Sequence, residues 1–264
     1  MLKKLLKYDL KNNFKILIIF YSLSIFFAVL TRILFSIENS FIIDIIAKIS
    51  SGVTISMMFN IIINNIMGLW GKTKNNFYGD ESYLTHTLPV DRKTLYLSKT
   101  ITSIITLFTS MLVIALTLFI AYYSKENLDI VKSFLLPIAD AYDSSIMKIL
   151  VAILFILFLE ISTMLQSGYT GIILGHRMNN SKIVLSIIFG LIAYSVSQIF
   201  VLITLFITSL FNKDLLNLFI TNNQIINIDM IKLIIILSII TYTILNIIQY
   251  IVNTKLFAKG VNID

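Results

Sequence analysis

The chain reads as an all-α integral membrane protein of six transmembrane helices, and three observations predict that class. Apolar residues fill 57% of the 264 positions and charged residues only 13%, with a mean hydropathy of +0.90. A soluble domain carries charge on roughly a quarter of its residues to cover its surface, so water cannot be the solvent around much of this chain. Six stretches, 16–36, 51–70, 99–123, 146–175, 183–210 and 231–254, reach the about 20 apolar residues that cross a hydrocarbon core of roughly 30 Å. Runs such as Val151-Ala-Ile-Leu-Phe-Ile-Leu-Phe-Leu159 are continuously apolar. A membrane β-strand alternates between lipid and lumen, so a barrel is excluded.

Ahead of the first span, residues 2–15 place Leu2, Leu5, Leu6, Leu10 and Phe14 near one helical face, with lysines around the rest. That pattern predicts an N-terminal amphipathic helix in the membrane interface, its lysines at anionic lipid headgroups. A simple cytoplasmic extension of the first span is the other reading. The basic lead-in resembles that of a signal peptide, but the apolar run is too long and no small-residue cleavage site follows. The first span is therefore expected to be retained. A second amphipathic stretch, 41–50, is expected on the outer face before Gly52. Within the spans the formal charges are Arg32, Lys99, Lys148, Glu160 and Lys232, and all but Glu160 lie near a span end. The 71–98 loop is the longest cytoplasmic segment, and 124–145 is its outer counterpart. In the outer loop 211–230, Leu215, Leu216, Leu218 and Phe219 are placed to dip back into the interface. The chain is one transmembrane domain with no soluble catalytic domain.

Lysine and arginine in the flanking segments set orientation. The N-terminus, the 71–99 and 175–182 loops and the C-terminus hold fourteen, and the opposite side holds seven. Most acids, including Glu38, Asp44, Glu126, Asp129, Asp140, Asp143, Asp214 and Asp229, fall on that opposite side. Both termini are thus expected in the cytoplasm. The same asymmetry accounts for the net charge of +7 without a nucleic-acid partner.

Few residues offer chemistry. There is no cysteine, which removes disulfides, thiolate catalysis and cysteine metal sites. Gly71-Lys72-Thr73 resembles the end of a phosphate-binding loop, but that motif needs a glycine where Ile66 stands and a strand before it. Gly71 and Lys72 are expected instead to end the second span at the headgroups. His86 and His176 have no second ligand at metal spacing, so no metal is assigned. Glu160 lies deep in a span, where a charge costs on the order of 3 kcal/mol. It is either a translocation-path residue or the partner of an interhelical hydrogen bond to Asn64, Asn65 or Gln198. Gly168, Gly171 and Gly175 follow on the same helix, the last two spaced for close helix packing; Gly175 is also placed to end the helix.

The informative segment is Phe77-Tyr-Gly-Asp-Glu-Ser-Tyr-Leu-Thr-His-Thr-Leu-Pro-Val-Asp-Arg-Lys-Thr-Leu-Tyr-Leu-Ser-Lys99. Gly79 supplies a turn, Pro89 breaks any helix, and Asp91 is placed to cap the helix of the third span. Leu84, Leu88, Leu95 and Tyr96 set apolar anchors among acids and bases, which reads as a docking surface for a cytoplasmic partner. Packing of the loop on its own helix ends is the plainer reading.

The run Tyr78-Gly-Asp-Glu-Ser-Tyr-Leu-Thr-His-Thr-Leu-Pro-Val90, followed by Lys99, resembles bacterial permeases of the ABC-2 type. Those carry a similar GDE-x-Y-L-x-x-TLPV stretch after the second span. The basic N-terminus, the six-span plan and the ending Lys259-Gly-Val-Asn262 are similar to the same group, so the likeness covers nearly the whole chain. It implies an ABC-2 type exporter fold in a bacterial cytoplasmic membrane, with the loop docking into an ATPase subunit. Asp80, Glu81, Tyr83, Leu84, Thr87, Leu88, Pro89 and Arg92 would lie in or near that contact. ATP and Mg would be held by two partner ATPase subunits, and a second permease would complete the pathway. This chain would do no covalent chemistry.

Two other classes stay open. A secondary transporter would use Glu160 for proton coupling, although both Pro89 and Pro137 are expected in loops rather than breaking a span. A membrane scaffold or sensor would transport nothing.

Overall fold

A computed structural model describes residues 1–37, 41–141, 143–212, 215–216 and 228–259. Among the described residues the regular elements are helices alone. They are α1 (Leu2–Phe35), α2 (Phe41–Tyr78), α3 (Ser82–Thr87), α4 (Arg92–Tyr122), α5 (Lys125–Ala141), α6 (Ile146–Gly175), α7 (Lys182–Ser209) and α8 (Ile228–Ala258), with a helical pair at 215–216. Six of them, α1, α2, α4, α6, α7 and α8, are long and apolar enough to cross a membrane. Leu218, Phe219, Glu38, Lys213, Asp214 and the ending Gly260–Asn262 lie outside the described residues.

The spans fall where hydropathy puts them, but the helices run further. Residues 2–15 are the first part of α1 and not a separate interfacial helix. At 1.5 Å per residue its 34 residues extend about 51 Å, well past a hydrocarbon core of about 30 Å. Residues 41–50 likewise open α2, and 71–78 continue it beyond Gly71 and Lys72. The expected loop 71–98 thereby shrinks to residues 79–91, with α3 inside it. The expected loop 124–145 is largely α5, which contains Pro137. Leu135 and Ala139 of α5 pack against Ile149 of α6, so an amphipathic helix forms where composition suggested a connection.

Two compact units divide the chain near residue 128. In the first, α1 runs parallel to α4 at a nearly constant offset. Asp9 meets Lys99, Tyr21 meets Ser110 at 2.8 Å, and Ser24 meets Thr117 at 3.1 Å. Arg32 donates to the Ile120 and Tyr123 carbonyls that end α4. Against α2 the direction reverses. Thr31 bonds Ser50 and Thr54, Leu17 and Tyr21 pack on Ile61, and Lys72 donates to the Asn12 carbonyl.

In the second unit α6 is the middle helix. It runs parallel to α8 through Ser162–Asn246 at 2.7 Å, Ser167–Gln249 at 2.8 Å and Thr170–Asn253 at 2.7 Å. The α8 partners, with Tyr242, fall at steps of four, three and four, which keeps them on one helical face. Gln249 also donates to Ser197 of α7. At its far end α6 lies antiparallel on α7 at very short range. A Cβ on Gly171 would stand 2.7 Å from the Gly190 Cα and closer still to the Ser186 carbonyl. One on Gly175 would stand 2.6 Å from the Ser186 Cα. Gly190 in turn faces Gly168. The glycine spacing was therefore a packing signal, and Gly175 is also the last residue of α6. Each unit repeats one plan: its first long helix is antiparallel to its second and parallel to its third. No sequence repeat accompanies this, because such pairing needs small or polar residues at helical spacing rather than any fixed residue.

Polarity within each unit is inverted relative to a soluble domain. Ser24, Thr31, Thr54, Ser110, Thr117, Thr163 and Asn253 are fully buried, while Ile18, Phe26, Phe59, Phe108, Ile187, Leu202 and Ile247 are exposed. Apolar side chains gain nothing by leaving lipid for a protein interior, so spans associate through close packing and interhelical hydrogen bonds.

Candidate functional site

The connection 79–91 joins α2 to α4 and is built in three local steps. The Gly79 N–H bonds to the Lys74 and Asn75 carbonyls as α2 ends. Glycine suits this position, since a Cβ would press to 3.0 Å from the Asn75 Cα and the backbone would have to give by a few tenths of an ångström. Next, α3 closes one and a half turns and stops at Leu88, whose extended backbone (φ −65°, ψ 139°) is what a residue before proline adopts. Asp91 then starts α4 as its N-cap, its carboxylate accepting from the Thr94 N–H and the Thr94 hydroxyl. The hydroxyl bond holds the Asp91 carboxyl below its ordinary pKa.

This construction sorts the segment into two faces. Ser82 is fully buried, Phe77 and Tyr78 are buried beneath it, and His86 Nε2 bonds the Phe77 carbonyl. Facing out are Tyr83 (62% exposed), Leu84 (74%) and Leu88 (43%), together with Asp80, Glu81, Thr87, Pro89 and Arg92. The eight residues singled out from sequence thus share one short surface segment. Its apolar side chains are held outward by the buried face, so the packing of the loop on its helix ends and its exposed patch coexist.

Beneath the segment is a polar cluster that sequence reasoning missed in part. Lys99 is buried (8% exposed), and its ammonium lies 2.6 Å from Asp9 Oδ1 on α1. Asp9 Oδ2 accepts from the Ser98 hydroxyl at 2.9 Å. With the Asn76 amide assigned to suit its neighbours, its oxygen accepts from Lys99 at 2.8 Å and its nitrogen donates to Glu81 at 2.7 Å. Lys99 also sits 5.9 Å from the Phe77 ring centroid, a cation–π contact. Asp9 was hidden as one acid in a lysine-rich stretch, and Asn76 as one of two asparagines before an aromatic residue. A lone acid on the apolar side of a basic helix was the available signal.

The intramembrane polar residues divide between the two units. Asn65 donates to Ser110 and Asn64 to the Asn60 carbonyl, both inside the first unit. In the second unit, half-buried Glu160 lies in electrostatic reach of the Tyr194 and Tyr242 hydroxyls. Gln198 accepts from Tyr242 at 3.4 Å, and its buried amide nitrogen has no partner. Among the described residues no hydrogen bond reaches the Glu160 carboxylate.

No family model, no curated protein and no solved structure matches the chain.

Proposed function

We propose that this chain is the membrane-spanning subunit of an ATP-driven exporter of the ABC-2 type, with both termini in the cytoplasm of a bacterial cell. The observation that carries the reading is the 79–91 segment. It holds the stretch resembling ABC-2 permeases, and it presents Tyr83, Leu84 and Leu88 outward on a buried, hydrogen-bonded base. Exposed aromatic and leucine side chains between membrane helices suit a partner that covers them. Two ATPase subunits would dock there and bind ATP and Mg. Six spans form half a pathway, so the permease would pair with a second copy or a similar chain. Nucleotide works through the difference in contacts between the open and closed ATPase pair.

Native mass spectrometry of the tagged protein, gently extracted from its own membrane, tests this. Two ATPase subunits per permease pair are expected, and changing Glu81, Leu84 and Leu88 together to alanine should release them. A chain that emerges alone, with nucleotide recruiting nothing, overturns the proposal.

One observation favours a second reading. Glu160 lies in electrostatic reach of the Tyr194 and Tyr242 hydroxyls, and both of those bond Gln198, which makes a polar site among membrane-length helices. A proton-coupled secondary transporter would use it. Transport that persists without ATP and disappears in Glu160→Gln would select that reading.

A further inference from the structure

We infer that the Asp9–Lys99 ion pair is the linkage that carries displacement of the docking segment into α1, so that Asp9 and Lys99 are positioning residues; this rests on the docking role proposed above. A continuous path of polar bonds runs from Glu81, the residue before α3, through Asn76 of α2 to Lys99 of α4 and Asp9 of α1. Three of the four groups are ionic, and charge-assisted bonds are short, strong and directional. Both oxygens of Asp9 are engaged, one by Lys99 and one by Ser98, which fixes its carboxylate against α4. Lys72 adds a second tie, from α2 to the Asn12 carbonyl.

Stability does not explain an ion pair at this place. A buried pair is often no better than apolar residues of the same volume, because desolvation offsets the attraction. Apolar contacts, however, slide past one another at little cost, whereas a bond of 2.6 Å does not. An ion pair at the foot of the docking segment makes α1 and α4 shift as one body. The next layer, Tyr21–Ser110–Asn65, keeps the same register and continues the tie into the membrane.

The absence of cysteine makes the test clean. Spin labels on Lys7→Cys and Lys93→Cys, both exposed, report the distance between α1 and α4 in the intact permease–ATPase complex. With wild-type Asp9 that distance should stay the same when ATP is added. In Asp9→Asn the ATPase subunits should remain bound, but the distance should change or broaden with ATP. Permease-stimulated ATP hydrolysis should fall about tenfold, within the range of allosteric couplings. The exchanged pair Asp9→Lys with Lys99→Asp should restore both. If Asp9→Asn does not fold, Lys99→Gln breaks the same pair from the α4 side, and the same outcome is expected. An ATP-independent distance in a folded Asp9→Asn or Lys99→Gln complex overturns the inference. Failure of the wild-type chain to hold ATPase subunits overturns the docking role instead, and the two failures are distinct.

Discussion

Gly171 of α6 lies against the backbone of Gly190 in α7, so close that a Cβ on the first would stand 2.7 Å from the Cα of the second. The atoms in the way are backbone, and neither helix can yield without moving as a whole. Gly171→Ala should therefore cost about 1–3 kcal/mol, the usual range for overpacking. Gly71→Ala provides the contrast: nothing lies within 4 Å of a Cβ there, and alanine is the better helix former. Unfolding in mixed micelles by rising denaturing detergent measures both. Equal effects would show that the α6–α7 approach is not tight.

Ser110 serves two partners, Tyr21 and Asn65. Ser110→Ala removes both bonds and should cost about 1–2 kcal/mol, more than the about 0.6 kcal/mol average for one intramembrane bond. Tyr21→Phe leaves the Asn65 bond in place and should cost less. The same detergent titration gives the order, and Tyr21→Phe proving the worse would contradict it.

The Asp91 cap has a pH dependence whose sign follows from its lowered pKa. A carboxyl depressed in the folded state contributes stability above its unfolded value, about 3.9. That contribution is lost as pH falls through the lower folded value. The protection of the Thr94 and Leu95 amides against hydrogen exchange, taken relative to the intrinsic rate at each pH, should therefore be high at neutral pH and fall below about pH 4. In Asp91→Ala that protection should be low throughout, whereas Asp91→Asn, a comparable cap, should keep it without the acid dependence.

Tyr83 is the exposed aromatic of the docking segment. Interface aromatics carry a large share of binding energy, so Tyr83→Ala should weaken ATPase-subunit retention at least about tenfold, or about 1.4 kcal/mol. Affinity capture over a range of ATPase concentrations reads this directly. Unchanged capture would move the contact off α3.

Much of this architecture is legible in the sequence, and the rest is missed for physical reasons. Hydropathy measures what hydrocarbon accepts, so it located the six spans but not the helix ends. The backbone of Gly71-Lys72-Thr73-Lys74-Asn75-Asn76 stays helical because nothing there breaks it. Pro137 misled as a loop marker, since α5 contains it. Pro89 and Asp91 were read correctly, because a proline stop and an N-cap act within a few residues. Asp9 could not be paired from sequence: its partner lies 90 positions away, and only the packing of α1 on α4 brings them together. Glu160 was visible as an anomaly, yet its neighbours Tyr194 and Tyr242 came from helices that one-dimensional reading cannot align.

The steady offset between α1 and α4 makes the two helices a pair of matched rulers. A substitution on either disturbs one graduation, but a length change disturbs all those beyond it. One residue inserted in α1 between Asp9 and Tyr21 would turn Asp9 by about 100° around the helix axis and shift it about 1.5 Å along it. Lys99 would then face an empty groove while Tyr21 still met Ser110. Apart from Asp9, the N-terminal part of α1 is thus tolerant of changed letters and intolerant of a changed count, so insertions and deletions there are the sharpest genetic probe of this protein.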